Sequence, residues 1–375
     1  MNRFCNLLLP TAAAALLGAG ITLAEAAGTR YQQTNLVSDG SIPAAHVDPN
    51  LVNAWGIVFN PTAFVWIADN GTGRSTLYDG AGTPSPSVPG PPLVVQIPSG
   101  NNVYDPPGAP TGIVFNASND FQVTNGTAKG PSRFIFATEE GIIAGWAPTV
   151  DGTHALFALQ TPGAIYKGLA LTGNGSGNFL YAADLFGGKI DVFDASFNPV
   201  KTSGGFVDPA LPAGFAPFNI TAIQGDLYVT FAFHEAGEED ETAGPGLGIV
   251  DVFDADGHLI RRVATRGKLN APWGVALAPS TFGKFANDLL VGNFGDGAIN
   301  AFDARNGTFK GQLRDVGGKV LKIDGLWGLA FGNGVLGQKT STLFFTAGPA
   351  DETEGLYGSL TAVAGPRDDD GNGDD

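Results

Sequence analysis

Six copies of one short pattern, set at a nearly constant interval, constrain this 375-residue chain more than any other feature. Each copy opens with an apolar run around a small or polar centre. The six runs are Trp55-Gly56-Ile57-Val58-Phe59, Thr111-Gly112-Ile113-Val114-Phe115, Lys167-Gly168-Leu169-Ala170-Leu171, Phe218-Asn219-Ile220-Thr221-Ala222, Trp273-Gly274-Val275-Ala276-Leu277 and Trp327-Gly328-Leu329-Ala330-Phe331. The centres at 56, 112, 168, 219, 274 and 328 are separated by 56, 56, 51, 55 and 54 residues. A period of this size marks stacked or radially arranged units, each too small to bury its own apolar face. The uninterrupted repeat favours one large domain over two or three small ones.

Each unit offers four strands. In the first they are Trp55–Phe59, Phe64–Ala68, Ser75–Tyr78 and Leu93–Ile97, here lettered a to d. The third strands recur as Ile190–Phe193, Ile249–Phe253 and Ile299–Phe302, each followed by Asp194, Asp254 or Asp303. Alternation such as Asp191-Val192-Phe193-Asp194 fits half-buried antiparallel strands. Six four-stranded units make an all-β, six-bladed β-propeller, whose radial closure limits exposed edges. The sixth unit ends near Val363 without an outer strand, and Tyr31–Val37 can supply it and lock the ring.

Residues 28–363 are therefore expected to form the propeller, between a signal peptide (1–26) and an acidic disordered tail (364–375). Arg3, the apolar stretch Leu7 to Leu23 and the Ala24-Glu25-Ala26 cleavage site read as a secretory signal, which predicts a secreted or periplasmic protein without a membrane span once the signal is removed. Cys5 is the only cysteine and would leave with that segment. Pro366 to Asp375 hold five Asp; Asp368-Asp369-Asp370-Gly371-Asn372-Gly373 matches the opening of a calcium loop but lacks its closing Glu, so a solvated tail is the preferred reading. The net charge of -16 argues against a nucleic-acid partner.

The Gly-apolar-apolar runs, then Ile67-Ala68-Asp69 and Ala182-Ala183-Asp184, then the aromatic-Asp strand ends, resemble NHL-type propellers. Asp48-Pro49-Asn50-Leu51-Val52-Asn53-Ala54-Trp55-Gly56, Ala243-Gly244-Pro245-Gly246-Leu247-Gly248 and Asn270-Ala271-Pro272-Trp273-Gly274 resemble an uncharacterised family of exported bacterial propellers. That resemblance covers nearly all of the chain after the signal and implies fold and export, with no activity attached.

Propeller topology gathers the d–a and b–c loops on one face. There the sequence places His46, Asp48 and Asn53, then Tyr166 and Lys167, then Asn270 and Asp324. The b–c loops add Asp69, Asn70, Glu139, Glu140, Asp184, His234, Glu235, Asn293 and Asp296. Asp69, Glu139, Asp184 and Asn293 occupy equivalent places in four units; they either form a ring of oxygens around the axis or bond backbone N–H groups in each turn, the preferred reading for Asp69, Asp184 and Asn293. Adjacent Glu139 and Glu140 repel unless a cation answers them, and Lys167 is the candidate partner or anion anchor. Trp55, Trp273 and Trp327 could line a channel that stacks a ligand, although plates filling the space between blades are the preferred expectation. The run His234-Glu235-Ala236-Gly237-Glu238-Glu239-Asp240-Glu241 is either a lid or a solvated acidic loop. Asp254-Ala255-Asp256-Gly257 reads as a hairpin turn.

Two function classes follow. One is a non-catalytic module that binds an unknown small molecule, polymer or protein at the channel mouth, with His46, Lys167, Glu140, His234, Glu235, Trp55, Trp273 and Trp327 as candidate contacts. The other is a hydrolase similar to the gluconolactonase-type propellers, with possible Ca²⁺ held by Asn53, Glu139, Asp184, Asn219 and Asp324 polarising a lactone carbonyl. No Ser nucleophile elbow or phosphate-binding glycine loop is present. His154 and His258 fall on the opposite face, so a His-rich metal centre is not expected. Few His and the single Met1 leave little for a redox cofactor.

Overall fold

The computed structural model describes residues 28–85 and 90–365. Six sheets make the ring: five are four-stranded and antiparallel, each running a-b-c-d from its inner to its outer edge, and the sixth has a fifth short strand, His46–Val47, paired parallel at its outer edge. The a strands are Ala54–Phe59, Pro110–Phe115, Tyr166–Gly173, Phe215–Ile223, Pro272–Leu277 and Leu326–Phe331. The six-bladed propeller expected from the repeat is therefore the fold. The signal segment and the acidic tail from Pro366 onward lie outside the described residues.

The apolar pattern explains the ring. Second strands such as Val65–Asp69, Phe134–Thr138 and Thr342–Ala347 are buried at every position, so both of their faces must meet a neighbouring sheet. Six apolar clusters result, each shared by two successive blades. The seam between blades two and three, for example, joins Ile135 and Ile143 to Leu169 and Leu180. Outer strands such as Leu259–Thr265 are only partly buried. No unit could bury this surface alone, which is the physical meaning of the repeat.

Closure uses the N-terminal segment. Thr29–Ser38 pairs antiparallel with Leu356–Ala364, with Tyr31 opposite Ala362 and Thr34 opposite Ser359. The last blade thus takes its outer strand from the start of the described chain.

Glycines at the centre of the repeat set the diameter of the ring. A Cβ on Gly56 would come within 2.5 Å of the Thr111 carbonyl oxygen, and one on Gly112 would run into the Leu169 backbone nitrogen. Five of the six a strands crowd the axis at a glycine; the fourth carries Asn219 there, whose Nδ2 donates to the Trp273 carbonyl.

The tryptophans depart from the expectation of plates between blades. Trp55, Phe218, Trp273 and Trp327 come from blades one, four, five and six and pack on one another across the axis. Trp55 and Trp327 stack at 3.7 Å between centroids, and Phe294 stacks on the other side of Trp327 at 4.0 Å. The Trp273 indole N–H donates to the Lys167 carbonyl of blade three at 2.9 Å. The side chain before each central glycine points inward because the glycine brings the strands together, so bulky residues there close the channel. Below this aromatic plug lies a cavity of about 240 Å³ lined by Ile57, Val114, Leu169, Ile220, Val275 and Leu329.

Candidate functional site at the channel mouth

Above the plug, polar side chains from five blades form one connected cluster around Lys167. The residue is 1% exposed, and its Nζ donates to Glu139 Oε1 at 2.6 Å and to Asp240 Oδ1 at 2.8 Å. The ammonium also lies 5.2 Å from the centroid of the Trp55 ring. Asn70 Nδ2 donates to the other Glu139 oxygen at 3.0 Å. Asn53 Nδ2 donates to Asn70 Oδ1 at 3.1 Å and to Glu352 Oε2 at 2.7 Å, while Asn53 Oδ1 accepts from the Trp327 indole at 3.1 Å. The polar layer and the aromatic layer are thus tied together through Asn53.

Burial alone would depress the Lys167 ammonium, but Glu139, Glu241 and Asp240 more than reverse this and hold it above its usual range. Burial raises Glu241 to about 7; Lys167 opposes the rise, while Glu352 and Asp240 reinforce it. Burial likewise raises Glu352, opposed by its Asn53 hydrogen bond and by Lys167, with Glu139 and Asp240 adding repulsion. Two carboxylates, Glu139 and the largely exposed Asp240, thus contact the ammonium, and Glu241 and Glu352 act on it through charge.

Three consecutive strained residues lie at this mouth. Ala350, Asp351 and Glu352 have φ of 53°, 52° and 65°, and Asn53 and Ala271 have φ of 46° and 42°. Left-handed conformations of non-glycine residues cost roughly 1–2 kcal/mol each and persist only where surrounding structure holds them. Asp324 helps to do so, because its Oδ2 accepts the Ala350 N–H at 3.0 Å.

The structure distributes the other candidates as follows. His46 belongs to His46–Val47, which pairs with the outermost strand of blade six, so it lies at the rim of the ring and not at the mouth. Glu140 accepts from the Ala109 N–H at 3.1 and 3.2 Å and anchors a loop. His234 Nε2 bonds the Glu238 carbonyl at 2.5 Å and its ring meets Phe186 edge-on, while Glu235 is exposed. The acidic run thus folds back on itself and reaches Lys167 through Asp240.

Of the five residues considered for calcium, only Asn53 and Glu139 enter the cluster. Asp184 Oδ1 accepts the Ile165 and Gly187 N–H groups at 3.1 and 2.9 Å, which is a turn role. Asn219 donates to the Trp273 carbonyl at 2.8 Å within the plug region. Asp324 supports the Ala350 turn as described. Among the described residues, no group of three His, Cys, Asp or Glu side chains is placed to hold a metal, and Lys167 Nζ already lies between the Glu139 and Asp240 oxygens. These residues do not fit the calcium set that the gluconolactonase resemblance implied.

Two turn assignments also shift. Asn293 holds its turn as a donor, to the Lys268 carbonyl and to Asp296 at 2.8 and 2.9 Å. Asp69 is buried with neither carboxylate oxygen hydrogen-bonded, and burial pushes it well above the usual carboxylate range. Asp254 caps its hairpin as expected, accepting from the Asp256 and His258 N–H groups at 2.9 Å each. On that face Ser203 Oγ lies 3.3 Å from His258 Nε2, and His258 Nδ1 lies 3.0 Å from Asp254 Oδ2. This relay is solvent-exposed, and the adjacent Gly204 and Gly205 N–H groups donate to the Asp256 carbonyl and to Thr202 Oγ1, which removes them as oxyanion donors.

Glu352 carried no signal in the sequence, because it lies outside the repeated pattern and reaches the mouth through the left-handed turn. Asp240 and Glu241 were visible only as part of an acidic run.

These features define a closed six-bladed β-propeller with an aromatic plug and an acidic mouth. The chain is 35% identical over 341 residues to an uncharacterized protein of Acanthamoeba polyphaga mimivirus, a match covering 88% of this chain and 80% of that protein. A second uncharacterized protein of the same virus is 36% identical over 338 residues, covering 87% and 84%. The chain belongs to the family that contains these two proteins. They are viral, unlike the exported bacterial propellers of the sequence resemblance. No family model matches the chain. Among solved structures, a streptogramin B lyase superposes with a TM-score of 0.52 at 14% identity, covering 89% of this chain and 98% of that one. A glucose dehydrogenase gives 0.52 at 13% identity, covering 88% and 99%. A Bacteroides thetaiotaomicron protein of unknown function gives 0.53 at 11% identity, covering 89% and 76%. At these identities the likeness concerns the fold alone.

Proposed function

We propose that this protein is a non-catalytic binding module that receives a positively charged group of its ligand at the channel mouth. The observation that carries this reading is the surplus of carboxyl groups around Lys167: one ammonium paired with Glu139 and Asp240, with Glu241 and Glu352 nearby and held partly protonated by burial, in a chain of net charge -16. A ligand ammonium or guanidinium would complete the neutralisation that Lys167 begins, over a floor that includes the Trp55 ring. The strained turn that carries Glu352 supports the same reading, since such strain clusters at binding sites. The aromatic plug supports capture at the mouth over passage through the ring.

Export is part of the proposal and rests on Arg3, the apolar stretch to Leu23 and Ala24-Glu25-Ala26. Intact-mass measurement of the protein recovered from the native host should give a chain beginning at Ala27; a retained Met1 would remove that part.

The mouth reading is tested by intrinsic fluorescence, because Trp55 lies beneath Lys167. Titration with spermidine or a Lys/Arg-rich peptide should give a saturable change that Glu352→Gln weakens. A linear, unsaturable response in the unaltered protein rejects it, as does steady turnover of a lactone or ester that depends on Glu139.

A further inference from the structure

A second cavity, of about 250 Å³, lies away from the mouth at the outer seam between blades five and six. Its lining includes Arg30, Lys284, Gln312 and Arg314. Arg30 comes from the strand that closes the ring, Lys284 from the a–b loop of blade five, and Arg314 from the connection that follows Phe309–Gln312. The seam is fixed by the Tyr31 N–H, which donates to the Arg314 carbonyl at 2.9 Å.

Three cations meeting in one cavity is an anomaly in a chain with 36 acidic and 20 basic residues. None of the three makes an ion pair among the described residues. Their hydrogen bonds go to main-chain oxygens: Arg30 Nη1 to the Thr29 carbonyl at 3.2 Å, and Arg314 Nη1 to the Gly318 carbonyl at 2.8 Å. Lys284 Nζ lies 5.4 Å from the centroid of the Phe285 ring. Asp315, in the same turn as Gly318, accepts the Lys319 N–H. Among the described residues, Arg30 Nε is buried and has no partner, which is costly for a charged donor. Gly318 keeps the guanidinium uncovered, since a Cβ there would sit 3.5 Å from Arg30 Nε and Nη2.

We infer that this cavity is an oxyanion-binding site, which takes a phosphate, sulfate or carboxylate group between Arg30, Lys284 and Arg314. Arg30 Nη2, which makes no hydrogen bond among the described residues, is the donor left for the anion, and planar guanidinium groups suit such oxygens. The volume is several times that of a liquid water, about 30 Å³, and so admits a tetrahedral anion. Carboxylates are also near in the sequence. A Cβ on Gly365 would lie 3.3 Å from Arg30 Cγ, and Asp368-Asp369-Asp370 follow three to five residues later, within about 10–18 Å of extended chain. The oxyanion is therefore either a free ion or an Asp side chain of residues 368–375. The site is independent of the ligand proposed for the mouth.

The test is calorimetric titration of the full chain with inorganic phosphate at constant ionic strength. A parallel arm uses the chain with Asp368, Asp369, Asp370, Asp374 and Asp375 all changed to Asn. Saturable binding of equal affinity in both chains supports the site with a free ion as its ligand. Binding that appears, or tightens at least about fivefold, only in the Asn chain supports it with those Asp side chains as ligand. In either case Arg30→Gln should weaken phosphate at least about tenfold. Lys284→Gln, at an exposed position that leaves ring closure intact, should weaken it several-fold. Absence of saturable binding in both chains overturns the inference, and so does binding that survives the two substitutions together.

Discussion

Lys167 stands where four of the six units carry Trp or Phe, and its burial makes it the residue on which the mouth depends. Lys167→Met keeps the volume and removes the charge, leaving Glu139, Asp240, Glu241 and Glu352 without their cation. Hydrogen bonds to charged groups contribute about 1.5–3 kcal/mol, and the carboxylates left behind, Glu139 and Asp240, keep access to water, so urea unfolding at pH 8 should show a loss in that range. The loss should shrink toward pH 5 as Glu241 and Glu352, both raised by burial, take up protons. Glu241 gives a second prediction. Its folded-state value of about 7 lies above the unfolded 4.5, so the folded protein holds the proton across that interval. The protein is then most stable with respect to this group below about 4.5, and stability falls as pH rises through about 7. The full shift corresponds to roughly 3 kcal/mol, which solvent access to this half-buried loop reduces to about 1–2 kcal/mol. Glu241→Gln should therefore be more stable than the parent at pH 8 and nearly equal to it at pH 4.5 in the same urea assay; a parent that gains stability between pH 5 and 8 relative to the variant contradicts the assignment. The oddity of Lys167 and its possible pairing with Glu139 were legible in the sequence, because a charged residue broke a repeated aromatic position. Glu352 was not legible: nothing in Asp351-Glu352-Thr353-Glu354 announces a left-handed turn.

At the scale of elements, the repeat disclosed strand number, order and the outer strand of the last blade, because each rests on local alternation and a fixed period. It did not disclose where the tryptophans point. That depends on how closely the a strands approach, which the central glycines decide between strands far apart in sequence. Gly112→Ala tests this directly, since the new Cβ meets the Leu169 backbone and cannot move a flexible side chain aside. Overpacking of this kind costs about 1–3 kcal/mol, and the melting temperature should fall accordingly. An unchanged melting temperature would mean that the ring is not close-packed at its axis. Removal of residues 28–38 should be more damaging, because it strips Leu356–Ala364 of its outer partner and exposes the seam that Tyr31 packs with Phe282 and Phe285. Thermal unfolding should lose its single cooperative transition. A sharp transition at the parent temperature would show that the ring closes without that strand.

On the scale of the whole molecule, a closed ring places loops from all blades at one face, and this chain loads that face with carboxylates while sealing the axis beneath it. The partition of loops between faces was legible from topology, although His46, assigned to the mouth, is drawn to the rim by its pairing with the closing strand. The net charge of -16 gives the molecule a long-range attraction for cations that salt screens. If the mouth accepts a cationic group, binding must also drive the Glu241 proton off, so affinity should rise from pH 6 to pH 8. The most direct measurement is calorimetric titration of spermidine into the protein at pH 7, in two buffers of different ionisation enthalpy and at low and high salt. Saturable binding should weaken at least about tenfold at high salt, with a buffer-dependent heat that reports proton release and disappears in Glu241→Gln. Binding that is insensitive to salt and to Glu241 and Glu352, or no saturable binding at low salt, would contradict it.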